Sequence, residues 1–126
     1  MSLKLERSVR HETLMSALAC AIREELRLND NHQYCVNNGR TANGHELQLV
    51  REEVSKRKTA FEIAVRAYND EWACMTEAFC RAVAKEYRLE EELRAKGSKA
   101  WYSEAPVDLS EVRHKLRMLM RDMCGS

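Results

Sequence analysis

Apolar residues recur every three or four positions along most of this chain, and that period predicts helices rather than strands. Leu14, Leu18, Ile22 and Leu26 form one such stripe, with Ala17 and Ala21 beside them. Met15, Ala19 and Cys20 widen it until the middle of the segment is apolar on most sides. A helix of that kind needs burial on more than one face, which is the first sign of a partner. With Ser2 as a cap and no Gly or Pro to interrupt it, this helix is predicted over residues 2–28.

The periodicity stops at residues 29–44 (NDNHQYCVNNGRTANG), a stretch rich in turn formers that contains Asn38-Gly39 and Asn43-Gly44. A plain loop is predicted there, ahead of a very short hairpin through Tyr34-Cys35-Val36. From His45 to Lys96 there is again no Gly or Pro. Leu47, Val50, Val54, Arg57, Phe61, Ala64 and Tyr68 alternate in steps of three and four. The series resumes with Trp72, Met75, Phe79, Ala82, Glu86, Leu89 and Leu93. The step from Tyr68 to Trp72 reads as a stutter in a heptad pattern. Glu precedes a base by four residues at Glu52–Lys56, Glu53–Arg57, Glu62–Arg66, Glu77–Arg81, Glu90–Arg94 and Glu92–Lys96. Such pairs support a solvated helix. One continuous helix over 45–96 is therefore expected, about 75 Å long, with Asn69-Asp70 as the place where it would break if it did. A compact domain of this length has a radius of gyration of only about 14 Å, so an unbroken helix would project.

Gly97 is placed to cap the end of that helix, and residues 97–107 form a linker. Asp108-Leu109-Ser110-Glu111 has capping-box spacing with Asp in place of Ser or Thr, which predicts a last helix over 109–123. Val112, Leu116, Leu119 and Met123 make its apolar face, and Arg113, Lys115, Arg117 and Arg121 cover the rest. The expected fold is all-α in one unit: a long central coiled-coil-like helix with a shorter helix folded back at each end. Two thin hairpins of this kind leave apolar surface over, so a further helix from elsewhere is expected.

Composition agrees with long helices: 33% of residues are charged, and the 126 residues include one Pro and four Gly. A net charge of +1 gives no global pull toward nucleic acid or an anionic membrane. No stretch approaches the roughly 20 apolar residues of a membrane span. The five cysteines, at 20, 35, 74, 80 and 124, are odd in number and irregularly spaced, so a reducing, cytoplasmic setting is expected over a disulfide scaffold. Lys4, Arg7 and Arg10 before the run Leu14 to Ile22, with Ala17-Leu18-Ala19, imitate a targeting signal, but Glu6 and Glu12 interrupt the basic region.

Candidate chemistry is thin. His32 and Cys35 share the polar segment, but no orienting third group or oxyanion hole accompanies them. Cys74 and Cys80 fall on different faces of one helix, and His11, His32, His45 and His114 have no metal-ligand spacing, so neither metal nor cofactor is expected. No phosphate-cradling loop or paired-carboxylate site is present, and an enzyme is not expected. The residues singled out are instead candidate partner contacts: Leu14, Leu18 and Ile22, the aromatic series Phe61, Tyr68, Trp72 and Phe79, and Arg113, Leu116, Arg117 and Arg121 on the basic last helix. Trp101 and Tyr102 in the linker could pin the chain reversal or face a partner. The expected function is that of a non-enzymatic structural or adaptor subunit of a larger eukaryotic assembly, with a cytoskeletal or ciliary setting suiting the elongated shape. Its partners would be helical or filament-forming proteins, in homo- or hetero-oligomers. The alternatives are an accessory subunit of a mitochondrial complex and a small signalling adaptor that uses the basic C-terminal helix.

Overall fold

The computed structural model describes residues 3–41, 44–97 and 105–124, with side chains from residue 9 in the first helix and from residue 107 in the last. Four helices follow one another: α1 (Leu3–Asn37), α2 (His45–Arg66), α3 (Asp70–Lys96) and α4 (Ala105–Met123). No strand occurs among the described residues. The proposed cap at Ser2 and the linker residues Trp101 and Tyr102 lie outside them.

The first helix runs nine residues beyond its expected end at Leu28. Asn, Asp and His are poor helix formers, but here tertiary contacts override that weak preference. Arg88 of α3 meets Asp30 at 2.8 Å, and Arg51 of α2 donates to Asn29 at 3.2 Å. The expected turn at Asn38-Gly39 is in fact the helix terminator. Gly39 takes φ 67°, while Arg40 N donates to Cys35 O at 2.8 Å and Gly39 N to Val36 O at 3.2 Å. Those two bonds are a Schellman motif, which needs a left-handed residue and so favours glycine.

The expected long helix is two helices. α2 ends at Arg66, and the chain turns through Ala67, Tyr68 and Asn69 into α3. Asn69 is extended (φ −157°, ψ 116°), and its side chain accepts from Glu71 N at 3.0 Å. Asp70 and Glu71 add negative charge where the first turn of α3 is positive. No glycine was needed to close α2, because Tyr68 N and Asn69 N both donate to Val65 O. At the other end of α3, Gly97 caps the helix as expected, with φ 82° and its N–H on Leu93 O at 3.1 Å. α4 begins at Ala105, earlier than expected, so Asp108 sits inside its first turn rather than at the cap. Pro106, which has no N–H to leave unpaired, is tolerated in that turn.

The helices run up, down, up and down. Glu77 opposite Lys58 makes α2 and α3 antiparallel, Arg51 opposite Asn29 does so for α1 and α2, and Arg113 opposite Glu86 for α3 and α4. One pole holds the start of α1, the 67–69 corner and the end of α4; the other holds the end of α1, the start of α2 and the start of α4. A single core joins all four helices through Met15, Leu18 and Ile22, Phe61 and Val65, Phe79 and Val83, and Val112, Leu116 and Met123. Phe61 and Phe79 meet across α2 and α3 with ring centroids 6.3 Å apart. A smaller cluster, Leu93 with Leu109 and Leu89, closes the far pole between α3 and α4.

Candidate functional site

The bundle is not equally tight on all sides. α1 lies along α2 and also touches α3, and α4 lies along α3, but α1 and α4 meet only sparingly. Between those two walls runs a groove of ≈ 600 Å³ with α3 as its floor. Met15 and Ala19 of α1, Phe79 and Val83 of α3, and Leu109, Leu116 and Met120 of α4 give it a mainly apolar lining. Ser16, Cys20 and Arg23 edge one wall, and Ser110, Arg113 and Arg117 edge the other.

Both ends of the groove are braced. At the end nearer the start of α2, Arg23 and Arg113 converge on Glu86 and Glu90. Arg23 pairs with Glu86 and, at 3.2 Å, with Glu90. Arg113 reaches Glu86 at 3.3 Å and Glu90 at 3.0 Å. Two cations from opposite walls thus share two carboxylates on the floor helix. Burial pushes the Glu90 carboxyl upward, but hydrogen bonds from Arg23 and Arg113 outweigh it and hold its pKa below the usual value.

At the other end, the buried His11 donates from Nδ1 to the Met123 carbonyl at 2.9 Å. That carbonyl belongs to the last turn of α4, where no helical N–H is available to it. Beside it Cys124 Sγ lies 3.6 Å from Met15 Sδ. Burial raises the Cys124 thiol pKa, so it stays protonated and packs as a small hydrophobe. His11 also stands edge-on to Trp72 and Tyr68, which stack on each other at 5.7 Å.

The residues singled out from sequence separate into three groups. Leu18, Ile22 and Phe61 are buried in the common core, and Leu14 is half-buried against it. Phe79 and Leu116 are core residues whose edges also form the groove, and Arg113 and Arg117 are on its rim. Tyr68, 58% exposed, and the half-buried Trp72 lie at the 67–69 corner. Arg121 is exposed on α4, away from the groove lining. Sequence reasoning did not single out Arg23, paired Glu90 with Arg94 on its own helix, and took Glu86 only as one member of the heptad seam. A carboxylate at an apolar register position was the available signal, since a half-buried carboxylate calls for a cation opposite.

His32 and Cys35 do share a site, on the last turns of α1. With Thr41, Glu46 and Leu47 they line a cavity of ≈ 250 Å³. His32 Nδ1 is buried with no hydrogen-bond partner among the described residues, and none joins it to Cys35. A water in that cavity would satisfy it. No group of three or more potential metal ligands converges among the described residues, and no described helix is long and apolar enough to cross a membrane. Comparison with family models, with curated proteins and with solved structures returned no match.

Proposed function

We propose that this chain is a non-enzymatic adaptor subunit of a larger protein assembly, and that it holds a helical segment of a partner in the groove between α1 and α4. The observation that carries this reading is an open apolar groove braced at both ends. The ion cluster of Arg23, Glu86, Glu90 and Arg113 holds the walls at one end, and the His11–Met123 contact holds them at the other. A groove whose walls are already positioned loses little ordering entropy on binding. Laying a helix into it would complete the side of the bundle that α1 and α4 leave unfilled.

The cytoskeletal or ciliary setting drew on an elongated central helix, and the corner at 67–69 removes that support. The signalling alternative needed α4 as a free amphipathic ligand. Here its apolar face, Val112, Leu116, Leu119 and Met123, belongs to the common core. Partner binding through the groove depends on neither, and it holds equally for an accessory subunit of a mitochondrial complex.

The test places a photo-crosslinking amino acid in the full chain, expressed at native level, at Ser16, at Ser110, or at the exposed control position Thr59 on α2. A protein captured stoichiometrically from 16 and 110 but not from 59 is the expected result. A monodisperse chain with no crosslinks at the groove, or equal crosslinks at all three positions, would remove the proposal.

A further inference from the structure

Resting on the reading of the groove as a helix-docking site, we infer that its occupant is a short amphipathic helix of a partner protein that presents an acidic residue to Arg117. Three features lead there. The first is size. Between the ion cluster at Arg113 and Met120 the α4 wall runs about 10 Å, at 1.5 Å per residue, which matches two turns of a docked helix with anchors at i, i+4 and i+7. The second is shape. The groove is a partly open trough rather than an enclosed cavity, so a small ligand would keep a solvated side, whereas small-molecule sites usually bury most of their ligand. A helix covers such a trough with one face and keeps the other solvated.

The third feature is charge. Arg23 and Arg113 are already matched by Glu86 and Glu90. Arg117 lies on the same rim, is exposed, and forms no ion pair with any described residue. The groove therefore offers one cation without a described counter-charge beside an apolar trough. An incoming helix with Glu or Asp flanking its apolar anchors would meet that cation, and one with Lys or Arg there would be repelled. A second copy of this chain fits less well. Its exposed apolar residues are scattered: Leu49 and Ile63 on α2 are 14 residues apart and Val107 and Met118 on α4 are 11 apart, about 21 and 16 Å, and Tyr34 and Val36 on α1, two apart, lie on different faces of the helix.

The experiment displays a library of helical peptides with Leu fixed at i, i+4 and i+7 and flanking positions randomised among Glu, Gln and Lys. It is selected against the immobilised full chain and against Arg117→Glu, Ser16→Trp and Ser110→Trp. The two tryptophan variants fill the groove from opposite walls, and circular dichroism with thermal melting checks that each folds as the native chain does. The expected result is enrichment of Glu over Lys by about threefold near the anchors, reversal toward Lys with Arg117→Glu, and loss of binding in both tryptophan variants. Enrichment indifferent to charge but lost in the tryptophan variants would overturn the acidic partner and leave helix docking standing. Enrichment that survives both tryptophan variants, or none at all, would overturn docking in the groove as well. Displacement of selected peptides by oleate at its own saturating concentration, with no charge preference among them, would assign the trough to an acyl chain. A native dimer in sedimentation that both tryptophan variants dissociate would assign it to a second copy.

Discussion

Replacing Asn69 by Ala probes what makes two helices of a segment whose periodicity suggests one. Asn69 supplies a single side-chain bond, from Glu71 N at 3.0 Å, and it is exposed, so its loss opens no cavity. Removing an Asn cap costs about 1 kcal/mol, within a range of roughly 0.5–2. At about 2.1 cal/mol/K per residue the unfolding entropy of this chain is about 0.26 kcal/mol/K, so the melting temperature should fall by about 4 °C. Asn69→Asp keeps an acceptor at the cap and should melt close to the native protein. The corner itself should persist in both, because Phe61, Val65 and Phe79 are buried by the fold-back and their burial far outweighs one cap. Thermal melts by circular dichroism read the first expectation, and small-angle scattering the second, with a radius of gyration near the compact value of about 14 Å. A neutral or stabilising Asn69→Ala would mean that the cap does not hold the start of α3. A marked rise in the radius of gyration would mean that the cap, and not the core, forces the fold-back.

Phe61→Ala removes a side chain with no exposed surface from between α1, α2 and α3, and should cost about 3–5 kcal/mol in chemical denaturation; a loss under 1 kcal/mol would mean that this core is loosely packed. The lowered pKa of Glu90 means that its contribution is present above the ordinary carboxylate range and is lost as pH falls through that range. Glu90→Gln should lower stability at neutral pH by on the order of 1 kcal/mol and flatten its decline in acid; an unchanged acid profile would show that the cluster does not brace the bundle. Thiol labelling of the native protein at mildly alkaline pH should modify the exposed Cys20 and Cys74 first. Cys80, whose pKa burial pushes up to about 11, should follow slowly, and the buried Cys124 should react only on unfolding. Prompt reaction at Cys124 would mean that the His11–Met123 end of the groove opens readily.

Helix content was readable because it rests on local spacing, and the stripe at Leu14, Leu18 and Ile22 does face the core. The break at Asn69 was visible but open to two meanings. A step of four from Tyr68 to Trp72 fits either a stutter or a corner, and no glycine distinguishes them when Val65 O closes α2 from two donors. The stretch after Leu28 was misread for the opposite reason. Its polar composition argues for loop, but Asp30 and Asn29 gain partners on α3 and α2 that no local rule anticipates. The charged pairs were half legible. Glu53 does meet Arg57 at 2.8 Å, whereas Glu90 bypasses Arg94 for Arg23 and Arg113 on other helices. The groove was out of reach from sequence, because it depends on how far apart two helices distant in the chain come to rest.

The His11–Met123 contact bears on connectivity as well as on packing. It places the end of α4 against α1 two turns in from Leu3, about 12 Å from the start of that helix. Five or six extended residues could bridge that span, and a new opening between Gly39 and Gly44 would then fall at the opposite pole. A circularly permuted chain that begins at α2 and ends at α1 should build the same bundle, with the groove and both of its braces intact.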